Sequence, residues 1–123
     1  MKNFGDMNKV EVIDCAIKHI TTISTDPKYS FNWINIHNNH YIEDRGTVSM
    51  CGAGAVMALE LNHPYDKFGL FSDYDEQIAD RLNFISSESQ APYGVPPQTW
   101  EESIDNLNIV RSELIKTHNY DFD

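Results

Sequence analysis

The chain has 123 residues, 41% of them apolar, and carries 9 Lys and Arg against 19 Asp and Glu, a net charge of −10. That length fits one domain with one core. The acidic balance argues against nucleic acid and anionic membrane as direct ligands, because both are bound by clustered cations.

Four helical segments are predicted. The first spans Met7 to Ile23, where Val10, Ile13, Ile17 and Ile20 recur at three- and four-residue spacing and Ala16 and Ile23 widen the stripe. Asp6 or Asn8 caps its start, and Asp26-Pro27 ends it. Residues 28–48 hold large aromatics among Asn, His and Ile. Within them 34–42 reads as a short β-hairpin turning at Asn38-Asn39, since Asn tolerates the positive φ of a tight turn. The alternative there is a short helix from Tyr29 to Ile36.

The second helix is expected from Ser49, as cap, to about Leu61, with His63-Pro64 as its stop. Its opening, Cys51-Gly52-Ala53-Gly54-Ala55, is almost free of side chains. Each glycine costs roughly 1 kcal/mol against Ala in a helix, so only close packing by a neighbour explains the run. Val56, Met57, Leu59 and Leu61 make the rest apolar nearly all round, which marks it as the buried central helix. The third helix is expected over Asp73–Ser86 on a stripe of Tyr74, Ile78, Leu82 and Ile85. A loop over Ser87–Gln98 carries Pro92, Gly94, Pro96 and Pro97. Thr99 and Glu102 form a capping box for the fourth helix, whose core face is Ile104, Leu107, Val110 and Leu114. Residues 118–123 read as a frayed tail. The whole predicts a mainly α, single-domain protein over 1–123, with about four helices and one short hairpin.

The chain lacks an apolar run of about 18 residues and an apolar segment near Met1, so neither a membrane span nor a secretory leader is expected. Cys15 and Cys51 are the two cysteines, and they read as reduced thiols of a cytoplasmic protein.

Three constellations bear on function. Cys51 lies at a predicted helix start, where backbone amides lower a thiol's pKa, and His37, His40 or His63 can supply a base. The competing reading is a small buried residue that starts a tightly packed helix. His37, His40, Cys51 and His63 are also candidate zinc ligands, although their spacing lacks the second close pair of a strong zinc signature. No cofactor is expected from these patterns.

The third constellation is acidic. Between 73 and 105 stand Asp73, Asp75, Glu76, Asp80, Glu88, Glu101, Glu102 and Asp105 against Arg81 alone, so most of the net charge falls there. Such a segment can dock on a basic surface of another protein, including a groove built for phosphates. Solubility explains it equally simply, and helix starts favour acids without any partner. The leading expectation is a non-enzymatic, inhibitor-like binding module. A Cys51-centred enzyme or zinc protein and a homo-oligomeric assembly protein are the alternatives.

Met50-Cys51-Gly52-Ala53-Gly54-Ala55-Val56-Met57-Ala58, followed by an amphipathic helix opened by Trp100, resembles small helical domains of bacteria and their phages. The resemblance implies a helical, stand-alone cytoplasmic protein and carries no activity, cofactor or site.

Overall fold

A computed structural model describes residues 2–33, 41–44, 47–63 and 71–122. Helix α1, Lys9–Ser24, starts where Asn8 and Glu11 satisfy each other's backbone amides, both at 2.9 Å. Of the two expected caps, Asn8 is therefore the one used. The stripe lies slightly off the expected line: Val12, Ile13, Ala16, Ile20 and Ile23 are buried, while Val10 and Ile17 sit at its margin.

Strand β1, Tyr29–Phe31, replaces the alternative of a helix starting at Tyr29. It runs parallel to β3, Thr47–Met50, and β3 also pairs antiparallel with β2, Tyr41–Asp44, giving the order β1-β3-β2. Aromatic residues suit such a pleated, half-buried surface, and Phe31 meets the Trp100 ring edge to face at 5.1 Å. The hairpin expected over 34–42 lies outside the described residues for 34–40. Its last two positions, Tyr41 and Ile42, pair with Met50 and Ser49 of β3.

That pairing shortens the second helix. Ser49 is drawn into β3, and Cys51 takes the cap position of α2, Gly52–Leu59, without a side-chain capping bond. Helix α2 ends before His63-Pro64, because Asn62 adopts a left-handed conformation (φ 55) and the His63 amide donates back to the Met57 carbonyl. Every residue from Gly52 to Met57 is buried. The close packing expected of the glycines is present at Gly52: a methyl there would lie 2.9 Å from Ile20 Cδ1 and 3.3 Å from Ser103 Oγ. Burying Val56 and Met57 contributes roughly 1.5–3 kcal/mol each, which outweighs the propensity cost of the two glycines.

Helix α3 covers Glu76–Gln90, shifted from the expected Asp73–Ser86. Asp75 caps it by accepting from the Ile78 amide at 3.0 Å, and Asp73 belongs to a separate 3-10 turn, Phe71–Asp73. Its far end runs on through Ser86 and Ser89, whose hydroxyls are satisfied within the helix by the Leu82 and Ile85 carbonyls. Helix α4, Trp100–Thr117, has Thr99 as its cap. The box is displaced by one residue, since the Glu102 carboxylate accepts from the Gln98 amide. Leu107, Val110 and Leu114 face the core as expected, and Ile104 is half-buried.

Helices α3 and α4 are antiparallel: Ser89 lies beside Asn106, while Phe84 and Glu88 line one cleft with Val110 and Leu114. The expected fraying of the tail is corrected over 119–122. The Lys9 amide donates to the Tyr120 carbonyl at 2.7 Å, and Phe122 packs edge-on against Phe84. The result is a mainly helical single domain with four α-helices and one small sheet among the described residues. No described helix is long and apolar enough to cross a membrane.

Candidate functional site

Cys51 is 1% exposed, and its thiol is pushed up to about 11 by burial, which outweighs the neighbouring backbone amides of Gly54 and Ala53. A protonated, enclosed thiol lacks the two properties of an activated nucleophile, thiolate character and access. His63 hydrogen-bonds through Nδ1 with the Tyr74 hydroxyl at 3.0 Å. His37 and His40 lie outside the described residues.

A different set converges. Cys15 and His19 stand four residues apart on α1, on the same face, and Glu60 follows the last residue of α2. One ligand atom from each lies within 4.8 Å of the other two. His19 Nε2 is 2.7 Å from Glu60 Oε1, and the Cys15 thiol donates to the same oxygen at 3.5 Å. The hydrogen bond from His19 holds the Glu60 carboxyl below its ordinary pKa against the opposing effect of burial. A carboxylate only accepts, so Nε2 carries the proton in this arrangement.

Burial, reinforced by the Glu60 charge, pushes the Cys15 thiol up to about 12. The order of contacts also matters: His19 sits against Glu60 and does not stand between it and the thiol as an activating base. The trio is therefore poorly arranged for cysteine hydrolase chemistry. Sulfur, imidazole nitrogen and carboxylate oxygen together form a donor set suited to a transition metal. The Cys15-x-x-x-His19 spacing was the local signal for two of the three residues. Glu60 carries no such signal, because only the packing of α2 on α1 brings it there.

The acidic candidates divide. Asp73, Asp75, Glu76 and Asp80 are exposed at the beginning of α3, and Glu101, Glu102 and Asp105 are exposed at the beginning of α4. Because the helices are antiparallel, these groups sit at opposite ends of the pair. The 15 residues of α3 separate them by about 22 Å along its axis. Glu88 belongs to neither group. It is half-buried in the cleft with Phe84 and Ile109, and burial raises its pKa while Lys9 opposes the rise. The α3 group gains Asp6 across a cleft of about 450 Å³ that Asp6, Glu60 and Asp75 line together.

No protein-family model, curated protein or solved structure matches the chain.

Proposed function

We propose that the protein is a non-enzymatic binding module whose exposed carboxylates engage a basic surface of a partner protein. The observation that carries this reading is the gathering of Asp73, Asp75, Glu76 and Asp80 at one end of α3, with Asp6 facing Asp75 across the cleft. Charge concentrated in this way accelerates encounter with a cationic surface and weakens as salt screens it. The second group, Glu101, Glu102 and Asp105, offers a separate contact about 20 Å away, which suits an elongated basic surface such as a groove for phosphates.

Two charge-neutralised variants test the reading. The first carries Asp75→Asn, Glu76→Gln and Asp80→Asn, where Asn preserves the helix cap. The second carries Glu101→Gln, Glu102→Gln and Asp105→Asn. A partner captured at low salt should be released at high salt and lost in the first variant, with the second weakened less. Capture insensitive to both salt and charge would overturn the proposal.

A further inference from the structure

We infer that Cys15, His19 and Glu60 form a binding site for a zinc-class divalent metal ion, with a fourth coordination position open to solvent. Glu60 also lines the cleft between Asp6 and Asp75, but the site uses none of the residues altered to test the docking face.

Helix α1 fixes Cys15 and His19 at i and i+4, one turn apart, as a rigid two-ligand edge. Both interrupt an otherwise apolar buried stripe and lie 8% exposed, so each polar group needs a partner. Glu60 supplies one oxygen to both.

Tetrahedral zinc holds S, N and O donors at about 2.3, 2.0 and 2.1 Å, which places neighbouring donors roughly 3.3–3.7 Å apart. The Cys15–Glu60 separation of 3.5 Å already fits that spacing. The His19–Glu60 pair, at 2.7 Å, has to open by less than an ångström, within reach of side-chain rotation.

Charge favours the same ion. A dication with one thiolate and one carboxylate is neutral overall, the least costly state for a partly enclosed site. Thiolate and imidazole select zinc, cobalt or cadmium over magnesium and calcium, which prefer all-oxygen shells. On binding, the Cys15 S–H bond breaks, the sulfur lone pair forms the metal bond and the proton passes to solvent. His19 changes tautomer through solvent, giving up the Nε2 proton that faces Glu60 and taking one on Nδ1, and the freed Nε2 lone pair binds the metal.

The fourth position has a location. Cys15 and Glu60 line a cleft of about 280 Å³ with Lys2, Glu11, Asp14 and Lys18, which is room for water or a small ligand. Three protein ligands and an open position distinguish this arrangement from a closed four-ligand structural site.

Cobalt(II) titration of the metal-free protein is the direct test, because tetrahedral cobalt–thiolate absorbs in the near ultraviolet and visible. One equivalent should generate thiolate charge-transfer absorption, and zinc should abolish it. Cys15→Ala should remove the charge-transfer band, Glu60→Gln should weaken binding at least about tenfold, and Cys51→Ala should leave both unchanged. Far-ultraviolet circular dichroism establishes that each variant is folded. Should Cys15→Ala fail to fold, Glu60→Gln decides, since Glu60 is only partly buried. Absence of a thiolate–cobalt band at stoichiometric metal, its persistence in Cys15→Ala, or an unchanged affinity in Glu60→Gln would overturn the inference.

Discussion

The Asn106 carboxamide donates to the main-chain carbonyl of Ser89 at 2.7 Å, so a side chain from the second turn of α4 closes the end of α3. The last carbonyls of a helix have no partner within it, and this one is satisfied from the neighbouring helix. The contact also fixes the antiparallel register that separates the two acidic groups.

Asn106→Ala should therefore destabilise the fold by about 1–3 kcal/mol, because a buried carbonyl loses its donor. Thermal unfolding should show a midpoint several degrees lower, and amide exchange near Ser89 and Gln90 should accelerate more than exchange in α1. Equal acceleration throughout would show that the contact does not hold this end of α3.

Gly52 is pinned between Ile20 and Ser103, and the nearest contact to an added methyl is the end of the Ile20 side chain. Helix propensity alone favours Gly52→Ala by less than the roughly 1 kcal/mol of a helix interior, because Gly52 is the first residue of α2. Crowding should reverse the sign and give a net loss of about 1 kcal/mol. In an Ile20→Val background, which removes Cδ1, the same substitution should become neutral or stabilising. Denaturant midpoints of the four proteins measure the coupling, and strict additivity would contradict it.

The thiol of Cys51 has a pH signature. Its pKa rises from an ordinary 9.0 to about 11 on folding, through burial. The unfolded chain therefore loses this proton first. The contribution to stability is intact below pH 9 and falls as pH rises from about 9 toward about 11, by roughly 2 kcal/mol. Cys51→Ala should flatten that slope relative to the parent, whatever its own stability. Urea unfolding between pH 8 and 11 reads the difference, and parallel curves would exclude a buried thiol here.

Phe122 meets Phe84 at 5.1 Å and lies 4.4 Å beneath the Arg81 guanidinium. Phe122→Ala should cost about 1–2 kcal/mol from these ring contacts. It should also loosen the Lys9–Tyr120 backbone contact, seen as faster exchange of the Lys9 amide. An unchanged unfolding midpoint would mean that the tail is peripheral to the fold.

The features legible in the chain alone are mostly local. The apolar faces of α1 and α4, the caps at Asn8 and Thr99, and the crowded packing of a glycine-rich central helix follow from spacing and from the chemistry of short polar side chains. These features depend on residues within one or two turns of each other, so one stretch of chain contains them.

Whatever needed a partner from far along the chain emerged only when the helices and sheet packed together. Ser49 reads as a helix cap until β1 and β2 pair with its strand. Ser87–Gln90 reads as loop until Asn106 of the neighbouring helix satisfies the Ser89 carbonyl. The segment from 73 to 105 reads as a single acidic face until antiparallel packing places its two ends about 20 Å apart. Cys15 and His19 are visible as a pair on one helical face, yet Glu60 joins them only through the packing of α2, across 41 residues from His19. Periodicity reports which side of a helix is buried; it carries no information on which distant side chain arrives there.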